Sequence, residues 1–468
     1  MRKISIVSVL LLVVLAFSTL PFVYSETPTI ETMTEAPGYL VEFKGSKLPK
    51  NAEAIIEGCG GAVTSMLPEI AVVGAMPNGN PADFEAALAN NDAIKCFDHD
   101  YIVELPDISM TPVTEELQFE SNGPLFTDPY YWVYQWHLWH TIEVSPWAAW
   151  TITTGSPDIS VAVLDTGIDW NHGDIAPNYD FGASASFVPY EDEMDYHGHG
   201  TWCGGLIAAA VNDDPNDWKV IGIGPNLNLV NLKVMDSSGG GYFSWTFQAV
   251  YHAVAHGVDV ISMSFGGYLP RGVDRSFLSI CNKVFNYAQR NGIVCVASAG
   301  NAGIHMDDFH AYYVHIPSQC EGVIDVIATD IHDGRAPYSN YGSSLHGISA
   351  PGGYWEFNEP SWYEPVIPPA FWAPHYGFTF STTTTVSGYK YMWAYGTSMA
   401  CPHVAGVAGL ILSVNPNLRP SQVRHLLFTG AVDHGDPGFD EIYNFGLLNA
   451  YNSLQLALKT LRAPTAGP

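Results

Sequence analysis

Positive charge is what this sequence has least of. Lys and Arg number 18 against 47 Asp and Glu, a formal net charge of −29 at pH 7. That balance argues against nucleic acid or anionic lipid as the main partner, because phosphate binding needs a basic patch. The acidic surplus reads as what keeps an extracellular protein soluble. Charged residues of both signs amount to only 14% and hydrophobic ones to 47%, a globular composition with ample material for a core. Cys-x-x-Cys pairs are absent, and the cysteines at 59, 96, 203, 281, 295, 320 and 401 have no zinc-like spacing. Cys203, Cys295 and Cys401 lie in apolar or small-residue runs and read as buried thiols, which leaves Cys281 with Cys320 as the pair to consider for a disulfide. Solenoid-type repeats are absent too. After Ile4 to Phe17 no second long apolar run appears, so a soluble mature product is expected.

What is present divides the chain into stretches of different character. Arg2 and Lys3, the apolar run Ile4 to Phe17 and the break Pro21 to Ser25 form the three-part pattern of a secretory signal peptide over residues 1–25. The expected product is secreted, extracellular or cell-surface associated, and meets the membrane only during export. Residues 26–105 read as a small α+β unit, with strands at Tyr39 to Phe43 and Ile70 to Val73 and a helix at Pro81 to Leu88. Residues 106–127 are polar, rich in Pro and Glu, and suit a linker. From 128 to 468 short apolar strands alternate with helical segments. Ile159 to Leu164, Leu227 to Val234, Val258 to Met263, Ile293 to Ser298 and Val323 to Ala328 read as strands buried on both faces, with helices such as Phe243 to His256 and Phe277 to Gln289 between them. The fold class is α/β: a doubly wound, mostly parallel sheet with helices on both faces. An aromatic-rich insertion over about 352–388 interrupts this rhythm, and reads either as a cleft wall or as a self-packed excursion.

In such a sheet reactive groups gather at the carboxyl ends of the strands. Asp165 directly follows a strand in Val163-Leu164-Asp165-Thr166-Gly167. Alone it reads equally well as a turn cap. His199 opens a Gly- and Ala-rich helix in His197-Gly198-His199-Gly200-Thr201, where capping or metal binding is the alternative. Ser398 stands at a helix start in Gly396-Thr397-Ser398-Met399-Ala400, where a serine is ordinarily just an N-cap. A hydroxyl is a poor nucleophile until a base takes its proton. The combination of an orienting Asp, a base His and a Ser at a helix N-terminus, in that chain order, matches a known catalytic template.

On these residues the stretch from about 128 to 457 resembles the subtilisin-like serine proteases. The motifs around Asp165, His199 and Ser398 carry the resemblance, and Pro402-His403-Val404-Ala405-Gly406 extends it. It implies hydrolysis of polypeptide substrates through an acyl-enzyme on Ser398. Asn301, in Ala299-Gly300-Asn301-Ala302-Gly303, is implied as the oxyanion donor. Ser264, Phe265 and Gly266 would pair with the bound peptide and wall its P1 pocket, the site of the residue that supplies the cut carbonyl. Gly239, Gly240 and Gly241 would form the opposite binding strand. Residues 26–105 resemble the family's inhibitory propeptide, an intramolecular partner removed by self-processing within Glu104 to Gly123. Structural calcium is implied, with Asp128, Asp174, Val211 and Asp214 as oxygen donors. The stretch Ile304 to Pro317 should close the P1 pocket, and His305, His310 and His315 in it raise a polar or pH-dependent P1 preference. A monomeric enzyme of broad extracellular specificity is the leading expectation. A maturation protease for surface proteins, or a catalytically silent scaffold, is the alternative.

Overall fold

The computed structural model describes residues 32–105, 111–112, 135–142, 148–211, 220–271, 275–309, 312–354, 379–383 and 390–461. Residues 1–25, most of 106–127, and 355–378 of the insertion lie outside the described residues.

The first sheet is antiparallel, built from β1 (Thr34–Phe43), β2 (Gly61–Leu67), β3 (Val72–Pro77) and β4 (Ile94–Glu104) in the order β2-β3-β1-β4. Helices α1 (Ala52–Gly58) and α2 (Pro81–Ala89) cover one face. Tyr39, Val41, Phe43, Ile56, Phe84 and Leu88 form a small core there. Pro81 opens α2 where its missing N–H costs nothing, and the Asn80 side chain caps the Ala82 N–H at 3.2 Å. Beyond it, β5 (Thr111–Pro112) stands apart from this sheet.

Runs without polar alternation must be covered on both faces, and here they make the central sheet. Its strands are β6 (Ser160–Asp165), β7 (Ala185–Ser186), β8 (Asn228–Lys233), β10 (Val260–Met263), β12 (Val294–Ser298), β14 (Ile324–Thr329) and β15 (Ile348–Pro351). They run in the order β15-β14-β12-β10-β6-β8-β7, and every registered pair is parallel. One face packs on α3 (His199–Ala208), α6 (Thr397–Val414), α7 (Pro420–Gly430) and α8 (Ala450–Thr460). The other packs on α4 (Phe243–Ala255) and α5 (Arg275–Arg290). Helix α6 is long and apolar enough to cross a membrane, yet 89% of it is buried inside the fold. It is a core helix.

The two sheets are joined. Strand β9 (Gly240–Tyr242) pairs antiparallel with β4, setting Ile102 opposite Tyr242 and Glu104 opposite Gly240. Leu40, Tyr101 and Val103 share a core with α4 and α5. Two buried aspartates of β4 meet the starts of those helices. Asp100 Oδ1 accepts from the Ser244 N–H at 3.1 Å, and Asp98 Oδ2 from the Phe277 N–H at 3.0 Å. Both carboxylates serve backbone donors that a helix cannot satisfy itself. Buried Glu42 of β1 is bonded by Lys95 at 2.8 Å and by Lys283 of α5.

Two smaller ribbons complete the fold. Strand β11 (Gly267–Pro270) pairs with β13 (Tyr313–Ile316), and β16 (Thr379–Thr382) pairs with β17 (Tyr391–Ala394), which also receives β5. Strand β16, within the aromatic-rich insertion, therefore packs on chain outside it. The Ser381 and Thr382 hydroxyls donate to the Trp202 and Thr201 carbonyls of α3 at 3.1 and 2.8 Å.

Candidate active site

Because β6, β10 and β12 are parallel, their carboxyl ends share one edge of the sheet. Asp165 ends β6, Ser264 follows β10, and Asn301 lies three residues past β12. Helices α3 and α6 start at the same edge with His199 and Ser398 in their first turns.

His199 Nδ1–H donates to Asp165 Oδ1 at 2.7 Å, and both side chains are buried. The Thr166 N–H reaches the same carboxylate oxygen at 2.8 Å. With Nδ1 protonated, Nε2 of the neutral ring carries the lone pair, and it has no hydrogen-bond partner among the described residues. This is a general base awaiting a proton.

Ser398 and Ser264 are bonded reciprocally. Ser398 Oγ donates to the Ser264 carbonyl at 2.7 Å, and Ser264 Oγ donates to the Ser398 carbonyl at 2.8 Å. The second bond follows from Pro402, which lacks an N–H and so leaves the carbonyl four residues earlier without a helical donor. Ser398 Oγ and His199 Nε2 are not hydrogen-bonded to each other. Catalytic hydrogen bonds of this kind are often unmade until substrate arrives. Cys203 Sγ lies 3.9 Å from His199 Nδ1. Burial, with Asp165 beside it, pushes this thiol well up, so it stays protonated.

Asn301 Oδ1 accepts from the Thr397 N–H at 2.8 Å and from Thr397 Oγ1 at 2.7 Å. With its oxygen pinned, the amide nitrogen is left to donate. A Cβ built on Gly396 would sit 3.4 Å from Asn301 Nδ2 and 3.8 Å from the Ser398 nitrogen. The glycine thus leaves open a gap flanked by two donors, the arrangement an oxyanion needs.

Several residues that hold this centre were not singled out in the sequence. Asp195 Oδ1 accepts from Thr166 Oγ1, the His197 N–H and the Gly198 N–H at 3.0, 2.9 and 2.8 Å. Its Oδ2 takes the Thr201 N–H and hydroxyl at 2.9 and 2.6 Å. It caps α3 and fixes the turn that presents His199. An acid just before a helix start was the available signal. Lys233, fully buried, donates to the Thr166 and Met194 carbonyls at 2.6 and 2.9 Å and pairs with Glu191 at 3.0 Å.

The expected substrate-binding residues carry four qualifications. The edge at Gly239, Gly240 and Gly241 is taken by the chain's own β4, which continues with the Leu105 N–H on the Gly239 carbonyl at 2.9 Å. Ser264 is tied to the nucleophile. Phe265 points into the core, so its contribution is limited to backbone. Gly266 faces His315, treated below. Burial pushes the His315 imidazole down to about 4, which removes it as a titrating group for a pH-dependent P1 preference. His305 sits beside Asp308 and Glu441, and His310 lies outside the described residues.

For calcium, the described donors are few. Asp174 is buried, and its Oδ2 accepts from the Val220 N–H at 3.2 Å and the Tyr391 hydroxyl at 3.1 Å. Val211 is half-buried, whereas Asp128 and Asp214 lie outside the described residues. One carboxylate already serving two hydrogen-bond donors does not by itself supply the roughly six to eight oxygens the ion takes. The described residues therefore do not assemble the site, and no step is routed through it. All seven cysteines are free thiols. This corrects the pairing considered for Cys281 and Cys320, both of which are buried free thiols.

The pattern of the peptidase S8 subtilase family matches residues 156–446. The chain belongs to the subtilase family. It is 34% identical to subtilisin DY of Bacillus licheniformis over 304 residues, covering 64% of this chain and 91% of that protein. It is 32% identical to thermitase of Thermoactinomyces vulgaris over 308 residues, covering 66% and 92%. Among solved structures, the epidermin leader peptide processing serine protease of Staphylococcus aureus superposes with a TM-score of 0.70 at 22% identity, covering 91% of this chain and 99% of that one. A lanthipeptide protease superposes with a TM-score of 0.57 at 27% identity, covering 69% and 94%. This subtilase is a serine endopeptidase of the α/β subtilisin fold, and the placement of Asp165, His199 and Ser398 is compatible with its catalytic triad.

Proposed function

We propose that this subtilase is an exported endopeptidase made as a self-processing precursor, in which the β1–β4 unit is the inhibitor of its own cleft. The observation that carries the reading is the pairing of β4 with Gly240–Tyr242, the edge on which an extended peptide substrate would add as a strand. In turnover His199 Nε2 takes the Ser398 proton as Oγ attacks the carbonyl. Asp165 steadies the imidazolium, and Asn301 Nδ2 with the Ser398 N–H receives the oxyanion. The amine then leaves with the proton from His199, and water releases the acyl group by the same steps in reverse.

Secretion rests on the N-terminal pattern Arg2 to Ser25. Calcium belongs to the same reading, with oxygens from Asp128, Val211 and Asp214 added to Asp174; a melting temperature unmoved between calcium and chelator counts against it. Two substrate ranges fit a secreted subtilase: broad degradation of extracellular protein, and maturation of selected chains. The likeness to a lanthipeptide protease and to an epidermin leader peptide processing protease favours the second.

The test compares the purified precursor with its Ser398→Ala form by mass spectrometry. The wild type is expected to lose its N-terminal unit with time and to be labelled once per chain by a fluorophosphonate. The variant should stay full length and unlabelled, and hydrolyse casein roughly 10³-fold or more slowly. Equal processing of both forms would overturn the self-processing reading.

A further inference from the structure

Beside Ser398, Ser264–Gly267 follows β10 and Ala299–Asn301 follows β12, and the slot expected for the P1 side chain is the space between these two segments. A peptide carbonyl placed between Ser398 Oγ and Asn301 Nδ2 would direct the side chain of its own residue into that slot. Something already fills the base. A Cβ on Gly266 would lie 2.4 Å from His315 Cε1 and 2.8 Å from its Nε2. A Cβ on Gly300, whose φ is +98°, would lie 3.0 Å from His315 Nε2, 3.1 Å from the Tyr268 hydroxyl and 2.5 Å from Asn340 Nδ2. The imidazole edge therefore stands between the two glycines, with less clearance than one methyl group requires.

Nothing about this plug is loose. Tyr268 and His315 are opposite one another in the β11–β13 register, and their rings meet edge-on with centroids 5.0 Å apart. Asn340 Nδ2 donates to the Tyr268 hydroxyl at 2.6 Å and to the Ala299 carbonyl at 2.8 Å, while its Oδ1 takes the Ile304 N–H at 3.1 Å. His315 Nδ1 meets the buried Ser318 Oγ at 2.9 Å. The His315 N–H is held by Gln319 Oε1 at 2.9 Å. Swinging the imidazole aside would break its bond to Ser318 Oγ and leave a buried ring nitrogen unpaired, at a cost that a P1 side chain has little means to offset.

We propose that His315, backed by Tyr268 and Asn340, is a fixed floor that makes the P1 slot shallow and restricts this enzyme to peptide bonds following Ala, Ser or Gly. The proposal rests on the endopeptidase reading and adds the determinant of its specificity. The imidazole stays neutral at ordinary pH, so the floor does not change with it. A narrow P1 choice also fits selective maturation better than bulk degradation.

The test uses the processed enzyme with tetrapeptide p-nitroanilides that differ at P1 only, taking Ala, Ser, Leu, Phe and Lys in turn. Active enzyme is counted by fluorophosphonate labelling. The wild type is expected to favour Ala over Phe by about tenfold or more in kcat/KM, the scale on which pocket shape discriminates. His315→Gly and His315→Ala should raise the Phe rate relative to the Ala rate by about tenfold or more. Tyr268→Ala, a second way to remove the floor, should shift the profile the same way. A wild type that cuts after Phe as readily as after Ala overturns the proposal, even if every variant fails to fold. So do fully labelled variants with an unchanged Ala to Phe ratio. A wild type that takes no label and cuts none of the five sinks the endopeptidase reading instead.

Discussion

Asn301 spends its oxygen on Thr397 so that its nitrogen can serve the substrate. Both Thr397 donors reach the same Oδ1, which fixes the amide orientation without help from the ligand. An oxyanion donor acts only once charge develops, so its loss should appear in turnover and not in binding. Asn301→Ala is expected to lower kcat by about 10²–10³ with KM nearly unchanged. A rise in KM at constant kcat would instead assign Asn301 to ground-state binding. The gathering of Asp165, His199, Ser398 and Asn301 at one sheet edge was legible in the sequence because each sits in a short motif of unusual composition. Asp195 and Lys233 were not, since their importance lies in what they bond across the fold. The exchange between Ser264 and Ser398 spans 134 positions, and no local pattern announces it.

At the scale of elements, one glycine sets how closely α3 approaches the strand that carries Asp165. A Cβ on Gly200 would lie 2.1 Å from the Gly167 carbonyl oxygen and 3.1 Å from Asp165 Cβ. Gly200→Ala must therefore push the start of α3 away and draw His199 off Asp165. Because misplacement of a catalytic group by about 1 Å can cost about 10² in rate, kcat/KM should fall by at least that factor. Overpacking should also remove about 1–3 kcal/mol of stability, readable in denaturant unfolding. Activity within threefold of wild type would show that α3 can shift without disturbing the pair. Five of the seven central strands were read from sequence to within a residue or two, because strands buried on both faces are uninterrupted apolar runs, whereas the short β7 and β15 were not. Strand β4 escaped notice for the opposite reason. Its Lys95, Asp98, His99 and Asp100 suggest solvent, yet both aspartates are buried where they cap α4 and α5. Likewise the threonines ending the insertion read as loop, and their pairing with Tyr391–Ala394 became visible only in three dimensions.

For the molecule as a whole, buried titratable groups set how stability follows pH, and they pull in opposite directions. His403 of α6 donates through Nδ1 to the Met399 carbonyl at 2.8 Å, so its Nε2 accepts from His137 Nδ1 at 2.9 Å. Burial pushes His403 down from 6.5 to about 4. A histidine held neutral contributes stability above its unfolded value, and loses it as pH falls from 6.5 through about 4. The shift corresponds to a contribution on the order of 3 kcal/mol, at about 1.4 kcal/mol per unit. Asp325 works the other way, because burial raises it from 3.8 to about 7. A carboxyl held protonated stabilises the fold below its unfolded value, and that contribution is lost as pH rises through about 7. Asp100, raised by burial to about 6, behaves like Asp325. His315, which burial likewise pushes down to about 4, acts with His403, so between pH 4 and 6.5 two histidines oppose two aspartates and the wild-type melting temperature should change little there. Single substitutions should expose the components, measured by calorimetry in the Ser398→Ala background to prevent self-digestion. Relative to that parent, His403→Gln should gain stability steadily as pH falls from 6.5 to 4. Asp325→Asn should gain it as pH rises from 4 to 7. Profiles that run parallel to the parent across the whole range would mean that neither group changes its affinity for protons on folding.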